Sequence, residues 1–167
     1  MAFDLSGKLS KKMMSDPKFR EALEESKRVH LRTFGEILEP AFTDDPTGEI
    51  ELVGALNFIS RGEYDRALRK LLRIEKRCAC PEDTCAVQFF AGLAYERSGM
   101  TVPAIQCFFA SAAAVPGHYM THVMLARLLH TNKSFDAALT NYLLAVQLIE
   151  RLEPKDEVPA VNPRTLR

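Results

Sequence analysis

Small residues recur along this chain at a fixed distance, and that recurrence limits the folds open to it more than any other feature. Ala55, Gly92 and Ala126 stand 37 and then 34 residues apart, and Ala67, Ala104 and Ala138 repeat the same two steps. Large residues keep the register: Phe58, Tyr95 and Leu129 lie three positions after the first set, and Leu71, Phe108 and Tyr142 four after the second. A small residue lets two elements approach closely, and a large one fills the hollow beside them. A period of this length marks stacked copies of one supersecondary unit, each burying its apolar face on the next.

The unit is helical. No segment alternates apolar and polar residues strictly enough to be a half-buried strand; apolar residues return at three- and four-residue spacing instead. Ser15-Asp16-Pro17 opens the first helix, because Ser or Asp can cap the free amides and Pro at the first helical position loses no hydrogen bond. It runs to about Leu38, with Phe19, Leu23, Val29, Phe34 and Leu38 roughly on one face. After the loop TDDPTG, breakers delimit helices at 49–61, 64–78, 81–98, 101–115, 118–130 and 135–152. Short loops between them make successive helices antiparallel neighbours. The expected fold is all-α: an N-terminal extension over 1–46, three helical hairpins over 47–154 (about 47–80, 84–117 and 118–151), and a loosely ordered, proline-containing tail over 155–167.

The hairpins resemble the tetratricopeptide repeat. Its pattern of a Gly or Ala, a Tyr three residues later, an Ala, an aromatic four later and a closing Pro is met in the middle copy by Gly92, Tyr95, Ala104, Phe108 and Pro116. The third copy has Ala126, Ala138 and Tyr142 without the closing Pro, and the first has an insertion around CACPEDTC. The resemblance implies a curved array with each hairpin's first helix lining a concave groove. Carried onto this sequence, the groove positions are Leu52, Leu56 and Ile59, then Ala86, Phe89, Leu93 and Arg97, then Met120, Val123, Arg127 and His130. This lining is mostly apolar and suits a hydrophobic or extended segment of a client protein, with Met adapting to varied partners. Repeat proteins that clamp the acidic tails of heat-shock chaperones use Lys and Asn at positions held here by Leu52, Leu56, Met120 and Met124, so that clamp is absent.

A narrower resemblance is to the class II chaperones of type III secretion, through Phe89-Phe90-Ala91-Gly92-Leu93 and the layout of an N-terminal helix before three repeats. It implies a chaperone that holds a hydrophobic translocator segment, with the N-terminal helix contributing to a homodimer. Phe19, Leu23, Val29 and Phe34 therefore have two roles open to them: capping the first repeat or pairing with a second copy. A structural subunit, its apolar faces permanently buried in a larger complex, is the competing class.

Charge narrows the partners. Across 167 residues, 22 Lys and Arg balance 22 Asp and Glu, which argues against a general nucleic-acid binder. From Ser98 to Ala126 no Asp, Glu, Lys or Arg occurs. Pro103, Pro116, Gly117, His118 and His122 interrupt that block, so it is not a membrane span. It reads as the centre of the stack, with Ala104, Phe108, Ser111, Ala112 and Ala113 in close packing. With no apolar signal core near the start, the expected location is the cytoplasm and the four cysteines are expected as reduced thiols. Cys78, Cys80 and Cys85 lack the second pair that structural zinc requires, and His118 with His122 lacks a further ligand nearby. No phosphate loop, nucleophile elbow or HExxH occurs. The sequence thus calls for no metal, no cofactor and no enzyme activity. The stripe Arg66, Arg69, Lys70, Arg73, Lys76 and Arg77, interrupted by Asp65 and Glu75, reads as a solvated face.

Overall fold

The computed structural model describes residues 12–152. Its helices are α1 (Pro17–Leu38), α2 (Pro46–Ser60), α3 (Tyr64–Glu75), α4 (Pro81–Arg97), α5 (Thr101–Ala114), α6 (Tyr119–Thr131) and α7 (Phe135–Leu152). The tail from 155 onward, read above as loosely ordered, lies outside the described residues.

Asp16 caps α1 through its side chain, which accepts from the Lys18 N–H at 3.0 Å. The same device starts α2 three residues earlier than the loop reading placed it: Asp45 accepts from the Thr47 N–H at 3.1 Å and Pro46 takes the first helical position. An Asp-Pro pair was therefore a start signal both times. At Phe34 the α1 backbone leaves helical values (φ −129°, ψ 26°) beside Gly35.

The repeat is visible in the turns. Gly62 (φ 75°) and Gly99 (φ 83°) reverse the first two hairpins, and Lys133 (φ 62°) occupies the same place in the third. Each turn closes with the same bond, in which the next residue's N–H donates to the carbonyl five residues back: Glu63 to Phe58, Met100 to Tyr95 and Ser134 to Leu129, at 2.8–2.9 Å. This is a helix C-terminal motif that needs a left-handed residue. Its acceptors are the large residues that keep the sequence period. Ala55, Gly92, Ala126, Ala67, Ala104 and Ala138 are all buried. A Cβ on Gly92 would stand 3.0 Å from the Phe108 ring, so that ring packs on bare backbone.

Within each hairpin the two helices pack together, and each second helix packs on the first helix of the next hairpin. The first helices α2 and α4 also touch, while α3 and α5 make no comparable contact. Helices that approach on one side and diverge on the other give a curved stack, with α2, α4 and α6 inside. The charge-free block corresponds to α5 and the first half of α6. Ala104, Phe108 and Ser111 are buried as expected, but Ala113 is exposed and Phe109 is 50% exposed. A second helix buries only the side facing its neighbours, so uncharged residues on its outer side meet solvent regardless.

Candidate functional site

The concave face is not open along its length. Helix α1 lies across it, packing on α2 and α4. Ser26 and His30 reach Asn57 on α2, with Ser26 Oγ and His30 Nε2 each 3.0 Å from its Oδ1. Lys27 pairs with Glu49. Phe34 then meets the Phe89 and Phe90 rings of α4 edge-on, at centroid distances of 6.0 and 5.2 Å. Of the groove positions in the first two hairpins, Leu52, Leu56, Ile59, Ala86, Phe89 and Leu93 are buried and Arg97 is exposed. The buried ones are core positions in this fold, and for Phe89 the Phe34 ring of α1 is part of the cover. Past α1 the face continues with Met120 and Val123 half-buried and with Arg97 and Arg127 exposed. Arg127 ion-pairs with Glu96, which ties the third hairpin to the second.

Among the N-terminal positions, Leu23 is buried and Phe19 and Phe34 are half-buried, but Val29 is 62% exposed. At 100° per residue Val29 lies about 120° around the helix from Leu23, off the inward stripe. The inward stripe instead includes Ser26 and His30, three and seven residues after Leu23. These polar partners of Asn57 fall outside the sequence expectation, because apolar spacing alone does not select Ser or His.

A second unfilled surface is at the far end of the stack. On α7, Phe135, Leu139, Tyr142, Leu143 and Val146 are exposed along one stripe. Tyr142 is the register mate of Leu71 and Phe108, which are buried, whereas Tyr142 is 39% exposed. No further hairpin follows within the described residues, so this one has no cover.

The cysteines and histidines serve packing. Cys78 Sγ approaches the Ile74 carbonyl, and burial pushes its pKa up to about 11, as it does for Cys107. Cys85 belongs to a buried polar chain: Ser111 Oγ donates to the Cys85 carbonyl at 3.0 Å and lies 3.2 Å from Thr121 Oγ1, which lies 2.7 Å from His118 Nδ1. This chain joins α4, α5 and the start of α6. His122 has Nδ1 on Asn141 Oδ1 and Nε2 on the Pro116 carbonyl, both at 3.0 Å, so its two ring nitrogens are already engaged. Among the described residues no three His, Cys, Asp or Glu side chains assemble as a metal set.

His118 is 6% exposed, its Nε2 is buried without a partner among the described residues, and burial followed by the nearby His122 holds its pKa down at about 4. Unfolded, it would take up a proton near pH 6.5, so stability falls as pH drops from about 6.5 to 4, by about 1.4 kcal/mol per unit. The urea midpoint at pH 5 should thus report about 2 kcal/mol less stability than at pH 7. His118→Asn, which keeps a polar group at the Nδ1 position without titrating, should remove most of that difference; an unchanged pH dependence would place the acid sensitivity elsewhere.

Together these features define a tetratricopeptide-type helical array whose inner face is partly filled by its own N-terminal helix. The chain is similar to the solved structure MamA MSR-1 C2, with a TM-score of 0.56 and 24% identity over 71% of this chain and 67% of that one. It is also similar to MamA RS-1 ArsTM double mutant, with a TM-score of 0.59 and 16% identity over 89% of this chain and 95% of that one. Both are tetratricopeptide-like helical repeat proteins, and at these identities the likeness is one of fold. No protein-family model and no curated protein matches the sequence. No described helix is long and apolar enough to cross a membrane.

Proposed function

We propose that this protein is a protein-binding module that holds a hydrophobic or extended client segment on its concave face, without catalysing a reaction. The observation that carries this reading is α1 itself. An amphipathic helix, anchored by Leu23 and Phe34 and by polar bonds to Asn57, already lies across two hairpins. The face therefore accepts helices with spaced apolar anchors, a recurrent mode of peptide recognition. The client continues from there over Met120 and Val123, with Arg97 and Arg127 at the edge. In this reading residues 1–46 cover the array and residues 47–154 form it. The specific form implied by the class II resemblance is a secretion chaperone that holds a translocator segment before export. Four free thiols fit a cytoplasmic setting. Phe89 and Phe90, which carry that resemblance, act here as packing residues and leave client contact to the third hairpin.

The α7 stripe favours a second reading, a scaffold subunit whose apolar end is permanently covered in a complex. One experiment separates the two. An array of apolar and amphipathic peptides is probed with wild type and with Val123→Glu, at a half-buried position, with far-UV circular dichroism checking that the variant stays folded. Peptide binding by a monodisperse wild type that falls about tenfold or more in the variant, a difference of about 1.4 kcal/mol, supports the concave face. Equal binding by both overturns it.

A further inference from the structure

The cations of the first hairpin are mostly solvent-exposed, as the sequence reading has it, and they also converge on one cleft. Arg61 at the end of α2 and Arg66, Arg69, Lys70 and Arg73 on α3 line one cleft of about 880 Å³ between the two helices. Glu63 pairs with Arg66, whose guanidinium lies 5.5 Å over the Phe58 ring. Among the described residues Arg61, Arg69, Lys70 and Arg73 have no ion pair or side-chain hydrogen bond. Arg77, the last member of the sequence stripe, turns away to bind Asp45 through two 2.8 Å bonds. Among the residues lining the cleft five are cations and none is an acid, an excess of positive charge that attracts an anionic guest.

We infer that this cleft docks an acidic amphipathic helix of a partner protein. Its position supplies the shape. In a stacked array, the groove between a hairpin's two helices is covered by a helix of the adjoining hairpin. Here α1 runs instead across the inner face and makes no comparable packing on α3. The groove floor is Gly54, where an added Cβ would meet the Lys70 stem at 2.8 Å, and the Phe58 ring beside it. The Lys70 stem lies over Gly54 and the Arg66 guanidinium over the Phe58 ring, so a guest helix meets the aliphatic stems of these side chains with their charged heads around it. Arg66, Arg69, Lys70 and Arg73 are spaced i, i+3, i+4 and i+7, one stripe along α3, and carboxylates at the same spacing on a guest helix face them in register. An apolar floor beneath a row of cations fits Leu or Met between the guest's acids. The stripe is short and bounded by Asp65 and Glu75 in a chain of zero net charge, so it lacks the extended basic track of a nucleic-acid surface.

Fluorescence anisotropy of the full chain tests this with a labelled helical peptide carrying Glu at i, i+3, i+4 and i+7 and Leu between them. The acidic peptide should bind at low salt, and raising salt past about 0.3 M should weaken it about tenfold, since exposed charges are screened. Arg69→Glu with Arg73→Glu, both exposed, should abolish binding with far-UV circular dichroism unchanged. Val123→Glu should leave this binding intact, which separates the cleft from the concave face. Failure of the acidic peptide to bind, equal binding of a Lys-for-Glu peptide, or tighter binding of an oligouridylate overturns the proposal.

Discussion

Phe89→Ala will remove about 3–5 kcal/mol of stability, the range for deleting a fully buried aromatic ring. Phe89 is 0% exposed, and four rings meet it edge-on: Phe34 at 6.0 Å, Phe90 at 5.3 Å, and Phe108 and His118 at 5.5 Å. Those partners come from α1, α4, α5 and the residue capping α6, so one side chain ties the N-terminal helix to the second hairpin and to the start of the third. Each edge-to-face contact adds about 0.5–1.5 kcal/mol to the area buried. Against a total stability of about 5–15 kcal/mol, the loss should bring the urea midpoint down steeply. A shift worth less than about 1 kcal/mol would show that this cluster does not hold the array together. The expectation also changes what a charged substitution there reports. Phe89→Glu would bury a carboxylate among rings, and lost client capture would then reflect unfolding. Val123 is the position at which capture and folding can be separated.

That reversal shows what the sequence made legible. The 37- and 34-residue steps located every hairpin, because the physical demand behind them is local: a small residue where helices approach and a large one beside it. Turn chemistry was equally local, so Gly62 and Gly99 marked hairpin reversals directly. The third reversal falls on Lys133, a residue type that gives no such signal. The groove was misread for a different reason. Leu52, Leu56, Ile59, Phe89 and Leu93 do lie on the inner-facing helices, but apolar character alone cannot distinguish a surface awaiting a partner from one covered by the same chain. The distinguishing information sat in α1, where Ser26 and His30 occupy the apolar stripe and find Asn57 31 and 27 residues away. Long-range polar pairs of this kind have no periodicity to betray them. The cations of α3 are mostly exposed, as the sequence reading has it, but their convergence with Arg61 and Phe58 of α2 on one cleft depends on a second helix that the run itself does not contain.

Asp83→Ala will cost about 3 kcal/mol and will loosen the covering helix selectively. Asp83 is 4% exposed in the first turn of α4. One carboxylate oxygen accepts the Phe42 N–H at 2.7 Å; the other accepts the N–H of Ala79 at 2.9 Å and of Cys80 at 3.4 Å. Phe42 is held at φ 55°, a conformation costly for a non-glycine residue, with its ring where a Cβ on Gly48 would stand only 2.4 Å away. The carboxylate thus fastens the segment after α1 to the second hairpin. Alanine leaves the buried Phe42 amide without an acceptor and removes the bonds to Ala79 and Cys80. Burial pushes the Asp83 carboxyl up, but the donors around it more than offset this and hold it below its ordinary 3.8. Its contribution is therefore complete above about pH 4 and lost as pH falls toward the lower native value, a window below the one in which His118 acts. Hydrogen exchange gives the decisive readout. In Asp83→Ala, amides of α1 and of Ala41–Phe42 should lose protection while those of α6 and α7 keep theirs, and Asp44→Ala, an exposed loop position, should change stability by less than about 0.5 kcal/mol. Uniform loss of protection along the chain would mean that α1 is an inseparable part of the fold and cannot give way to a client.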